Sequence, residues 1–148
     1  MTLKAHLLQQ CLELVDNRIK EIQQSIKHFQ QAANEDSKSS MGDKYETNRA
    51  MMHLEKEKAS SQLNQYLKMR QVLDSIRIKK SEKVEIGSIV KTQNGTYFIS
   101  VGLGPLDVDG EKYFVISAAS PIGQELIGKK MGDTIIFRGQ KDQILEIE

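Results

Sequence analysis

The chain has no tryptophan, one cysteine, two prolines and only eight aromatic side chains, four Tyr and four Phe. Each shortage narrows the possibilities. The lone Cys11 cannot close an internal disulfide, so nothing argues for an oxidising compartment. It lies inside a helical pattern and reads as a small apolar filler rather than a reactive thiol. So few aromatics do not make a base-stacking platform for single-stranded nucleic acid. No apolar run approaches the roughly 20 residues of a membrane span, and the first residues lack the layout of a signal peptide. The expectation is a soluble, cytoplasmic protein with no membrane partner. Charge of one sign is scarce too: 21 Lys+Arg against 20 Asp+Glu give +1. The halves differ, with 15 basic and 11 acidic residues in 1–83 (+4) and 6 and 9 in 84–148 (−3). That asymmetry is compatible with a large charged partner.

What is present begins with periodicity. Leu8, Leu12, Val15, Ile19, Ile22, Ile26, Phe29 and Ala33 alternate spacings of four and three, the heptad signature of a coiled-coil seam. No glycine or proline falls in 1–41, so a helix over residues 3–34 would run roughly 45 Å. A second stripe, Met52, Ala59, Leu63, Tyr66, Met69, Leu73 and Ile76, is weaker, with Glu55 and Gln62 where apolar residues belong. Two such helices joined by a short polar stretch predict an antiparallel hairpin, each helix being the other's core.

After residue 80 the pattern turns to strands. Residues 88–92 and 96–100 flank Asn94-Gly95, which predicts a hairpin with a type I′ turn. Gly102, Gly104 and Pro105 break the chain, and residues 107–110 form a turn. Further strands are expected over 112–117, 134–137 and 143–148. Residues 121–128 predict one short helix, with Ser120 as N-cap and Pro121 at its first position. The fold class is therefore α+β in two domains. Residues 1–80 form an antiparallel coiled-coil hairpin with an acidic tip. Residues 81–148 form a small, mostly antiparallel sheet with one helix, near the lower size limit for independent folding.

The candidate chemistry sits between the two helices, in SSMGDKYETNRA (39–50). Asp43 and Glu46 are three apart and share one helix face. An Asp N-cap with Glu three residues on is also a capping box, and the macrodipole favours both acids there. The second reading is chemical: two carboxylates suit a hard cation such as Mg²⁺, which completes its shell with water and phosphate oxygens. From the residues alone both readings stand, and capping is the simpler. Elsewhere little competes. His6, His28 and His53 lack zinc-site spacing. DVDG (107–110) lacks the later acids of a calcium loop. Arg49, Lys56, Lys58, Lys68, Arg70 and Arg77 along the second helix read as a solvated face.

Two segments carry a family resemblance. GDKYETNRA (42–50) is similar to the tip motif Gly-Asp-x-x-Glu-Asn/Thr of the Gre transcript-cleavage factors (GreA/GreB) of bacterial RNA polymerase, with Gly42, Asp43 and Glu46 matching. SPIGQELIGK (120–129), followed by Gly132-Asp133, is close to a stretch of that family's FKBP-like C-terminal domain. Lys44 and Tyr45 depart from the Leu-Lys usual between the two acids, and NEDSKSSM (34–41) departs from the usual approach to the tip.

The resemblance implies a non-enzymatic transcription elongation factor that binds RNA polymerase in its secondary channel. It implies that Asp43 and Glu46 act as tip acids sharing Mg²⁺ with the polymerase, an ion the isolated protein does not hold. Together they would stimulate the polymerase's own cleavage of backtracked RNA, so the contact with the nascent RNA 3′ end is indirect. It further implies a monomer that docks through Ser120, Pro121, Leu126, Ile127 and Gly128, residues whose plainer duty is core packing and capping. Three alternatives remain: a secondary-channel regulator that does not promote cleavage, an FKBP-like isomerase or chaperone, and a coiled-coil adaptor. The isomerase would need an aromatic-lined pocket built from Tyr97, Phe98, Tyr113 and Phe137.

Overall fold

The structure, a computed structural model, describes residues 2–36 and 42–148, leaving aside the side chains of residues 35, 36 and 42–45. Two long helices come first, α1 (Leu3–Asp36) and α2 (Gly42–Ser75). The stretch 37–41, including Ser39 and Ser40, lies outside the described residues. Contacts divide the chain into two compact units, Glu13–Gln71 and Met1–Leu12 with Val72–Glu148.

The first unit is a pair of antiparallel helices. Asp16 near the start of its α1 segment bonds Arg70 near the end of α2, while Gln30 bonds Lys56. The seam read from periodicity is the buried stripe: Val15, Ile22 and Ala33 are buried and Ile19, Ile26 and Phe29 half-buried. Opposite them Ala59 is buried, Met52, Leu63, Tyr66 and Met69 are half-buried, and Gln62 is exposed. A cavity of about 350 Å³ lined by Ile22, Phe29, Ala59 and Gln62 marks where α2 is too small or too polar to fill the seam.

In the second unit α1 starts on Thr2, whose Oγ1 accepts from Ala5 N at 3.2 Å, an N-cap. Here the buried residues of α1 are Lys4, Leu7 and Cys11, not the seam positions Leu8 and Leu12, which are half-buried. The sheet has six strands: β1 (Ile89–Thr92), β2 (Thr96–Ser100), β3 (Gly104–Val108), β4 (Glu111–Ser117), β5 (Thr134–Phe137) and β6 (Gln140–Ile147). Their order is β3-β4-β2-β1-β6-β5, and α3 (Pro121–Leu126) lies between β4 and β5 in the chain.

The sheet departs from expectation in three ways. β3 replaces a predicted break; Pro105 is tolerated because β3 is an edge strand, where a missing N–H costs no ladder bond. Because β3 takes the outer slot, β4 returns beside β2 in parallel, with Phe98 opposite Val115, so the sheet is mixed rather than antiparallel. The β1–β2 hairpin forms, but neither Asn94 nor Gly95 takes the positive φ a type I′ turn requires. Instead Thr92 organises the loop, its Oγ1 accepting from Asn94 N and Gly95 N. Positive φ at two successive residues occurs at Asp109-Gly110 and at Arg138-Gly139, the two-residue connections of β3–β4 and β5–β6.

Strand alternation sorts the side chains onto two faces. Tyr97, Ile99 and Ile116 join Val84, Val90, Ile122, Leu126, Ile135, Ile144 and Ile147 in one core cluster under α3. Phe98, Val115, Tyr113 and Val108 are buried on the opposite face. Ile76 closes in from α2's end, near enough that a Cβ on Gly87 would sit 3.0 Å from its Cγ2.

Candidate functional site

The acids come first. α2 begins at Gly42, so Asp43 and Glu46 fall in its opening turns, three residues apart on one face. The side chain of Asp43 lies outside the described residues; Glu46 is exposed. The donor set suits the implied ion, since both groups supply hard carboxylate oxygens and leave most of an octahedral shell to water or a partner. Among the described residues no three His, Cys, Asp or Glu side chains converge as a metal site.

The second candidate surface surrounds α3. Ser120 caps this helix, its Oγ accepting from Gly123 N at 3.1 Å and donating to Ser117 O at 2.7 Å. Pro121 follows at the first helical position and is exposed. Leu126 is fully buried in the core, so it presents no surface to a partner. Ile127 is 39% exposed, and Gly128 is exposed with φ +81°. Gly128 N donates to Val84 O at 2.8 Å and Val84 N to Lys129 O at 2.9 Å, strapping the end of α3 to the chain entering the sheet. Three of the five expected docking residues, Pro121, Ile127 and Gly128, therefore reach the surface.

The strap brings Ile127 to a neighbour that sequence reasoning missed. Ile86, 50% exposed, joins Ile127, Val84, Ala118 and Ala119 around an open depression of about 710 Å³. No local signal marks Ile86, which reads simply as the approach to β1; only the 84–129 pairing makes it part of this surface. The aromatic residues an isomerase pocket would need are committed to packing: Phe98 and Tyr113 are buried, and Tyr97 and Phe137 pack on the core cluster.

Residues 79–148 match the family model described as transcription elongation factor, GreA/GreB, C-term. That segment is GreA/GreB-like. Transcription elongation factor GreA of Chlamydia trachomatis serovar D is 32% identical to the chain over 59 residues. Those residues are 40% of the chain and 8% of the length of that relative. Among solved structures, the GreA factor homolog 1 (Gfh1) proteins of Thermus thermophilus and Thermus aquaticus are similar at 16% and 17% identity. They cover 97% and 94% of this chain, and the chain covers 93% and 92% of theirs, at TM-scores of 0.36 and 0.34. The Gre-like segment begins at Lys79, so the match holds the sheet, α3 and the Ile86–Ile127 surface and leaves out the acids of α2. No helix among the described residues is long and apolar enough to cross a membrane.

Proposed function

We propose that the chain is a transcription elongation factor that works on RNA polymerase and is not itself an enzyme. The Gre-like segment docks on the polymerase, with Ile86, Pro121 and Ile127 as its exposed apolar contacts, and the hairpin enters the secondary channel. The match of residues 79–148 to the GreA/GreB C-terminal model carries this reading. Each hairpin helix has 34 residues, about 51 Å at 1.5 Å per residue, a length suited to delivering acids to a distant active centre.

At the tip, Asp43 and Glu46 would hold Mg²⁺ jointly with carboxylates of the polymerase, and that ion supplies activation of water for phosphodiester hydrolysis of backtracked RNA. Glu46 offers an exposed carboxylate, and Asp43 stands one turn before it on the same face. Both acids also favour the start of α2 through its macrodipole, so their structural and chemical duties do not conflict. The contact with RNA is indirect, through the polymerase's own active centre.

The test uses arrested elongation complexes with added Mg²⁺. Asp43→Asn and Glu46→Gln should each lower RNA cleavage by at least the roughly 10–100-fold that loss of an outer-shell metal partner costs, with polymerase binding unchanged. Parent-level cleavage by both variants would refute the tip assignment. Binding without any cleavage by the parent would identify a regulator of the polymerase instead.

A further inference from the structure

The seam of the hairpin does not by itself decide how α2 is rotated. In heptad terms Met52, Ala59, Tyr66 and Leu73 form one core row of α2, and Glu55, Gln62, Met69 and Ile76 form the other. The flanking row reads Lys56, Leu63, Arg70, Arg77. Two core positions are thus polar, while the neighbouring flank holds a leucine. Turning α2 by one residue would exchange Gln62 for Leu63 in the seam, an apolar gain, but would drive Lys56 and Arg70 inward. Apolar residues elsewhere on α2 add no vote, since Met51, Leu54 and Leu67 are 55%, 52% and 41% exposed.

Polar contacts across the seam occupy this flank. Arg70 Nη1 donates to Asp16 Oδ2 at 2.5 Å, and Lys56 Nζ donates to Gln30 Oε1 at 2.5 Å. Asp16 and Gln30 are two heptads apart on α1, as Lys56 and Arg70 are on α2, so all four belong to flanking rows that face each other. On the other side of the seam the Arg18 guanidinium lies over the Tyr66 ring, 5.9 Å from its centroid. α2 is therefore gripped on both flanks.

We infer that Asp16–Arg70 and Gln30–Lys56 are positioning pairs that fix the rotation of α2 and with it the direction in which its first turns present Asp43 and Glu46. Half-exposed polar pairs of this kind contribute little to stability, but flanking charges in helix pairs select orientation among otherwise similar packings. The consequence for cleavage rests on the function proposed above; the consequence for rotation does not.

The experiment separates the two. In the 148-residue chain with Cys11→Ser, spin labels at Lys20→Cys and Glu57→Cys, both exposed, report the interhelical distance. A one-residue turn of α2 moves a surface group by roughly 8 Å for a helix with side chains 10–12 Å across. The parent should give one narrow distance population. Asp16→Arg, which sets two guanidinium groups opposite each other, should give a second population, as should Lys56→Ala combined with Asp16→Ala. The exchange Asp16→Arg with Arg70→Asp should restore the single one. In the cleavage assay Asp16→Arg should lower maximal stimulation at least 10-fold with polymerase affinity unchanged, and the exchange should recover it. A single unshifted population in both disrupted variants overturns the inference, as does full stimulation by Asp16→Arg beside an active parent. An inactive parent refutes the proposed function instead, while the distances still decide the rotation.

Discussion

Replacing Gly123 by alanine is the sharpest test of how α3 is seated. The helix is only six residues long and depends on its immediate surroundings rather than on its own length. A Cβ at Gly123 would lie 2.2 Å from Ser117 O, 2.9 Å from Ser120 Oγ and 3.0 Å from the carbonyl carbon of Ala118. Real Cβ contacts essentially never fall below 3.0 Å, so the methyl group requires a shift of about 0.8 Å. The obstacle is backbone and cannot swing aside. Ser117 O also accepts from Ser120 N and Ser120 Oγ, and that hydroxyl caps the helix at Gly123 N. Any displacement wide enough for the methyl group pulls this cap apart. Loss of the cap costs about 1 kcal/mol and overpacking a further 1–3, so roughly 2–4 kcal/mol is expected. Gly128→Ala is the control. Its Cβ would meet nothing within 4 Å, and only the left-handed backbone at φ +81° resists it, at about 1–2 kcal/mol. Urea unfolding followed through Tyr97 and Tyr113, both in this unit, compares the two. A smaller loss for Gly123→Ala than for Gly128→Ala would show that α3 is not wedged against the β4 terminus, and the surface built from Ile127 would lose its support.

Two further predictions concern buried polar atoms. Ser100 Oγ is buried and has no hydrogen-bond partner among the described residues, so Ser100→Ala should stabilise the protein by about 1 kcal/mol in the same urea assay; destabilisation would mean the hydroxyl is satisfied. Burial pushes the Cys11 thiol from 9.0 up to about 11, so the folded state keeps its proton longer than the unfolded one. Its contribution is complete below pH 9 and is lost as pH rises towards about 11. Lys4 works in the opposite sense: burial holds its amine below 10.5, so the folded protein releases that proton first and gains stability as pH climbs through this range. Subtracting the pH profile of Cys11→Ala from that of the parent isolates the thiol. The parent should lose more stability between pH 9 and 11, and native Cys11 should resist alkylation at pH 8; equal profiles or rapid alkylation would refute its burial.

What the sequence discloses depends on how local the cause is. The α1 stripe from Val15 onward was legible because a heptad seam is written every three or four residues and has a single partner helix. The same stripe misleads at Leu8 and Leu12, because that end of α1 belongs to the unit of the sheet and buries Leu7 and Cys11 instead. β3 was hidden by the glycines and proline that usually end strands, and the parallel β2–β4 pairing follows from β3 taking the edge, a choice no single segment records. Leu126 was misplaced for a related reason: SPIGQELIGK marks where a partner would touch, but within it every third or fourth side chain must face the core. The acids are a different case. The helix start at Gly42 puts Asp43 inside the first turn of α2 rather than at its N-cap, so the expected capping box does not form, but the macrodipole there still favours the acids that metal delivery would use, and spacing alone does not separate the two uses. The proposal of metal delivery leans on something remote in the chain, the Gre-like segment starting at Lys79. The discriminating experiment therefore lies in the complex with polymerase, where a capping role predicts a slightly frayed helix and a delivered carboxylate predicts lost cleavage.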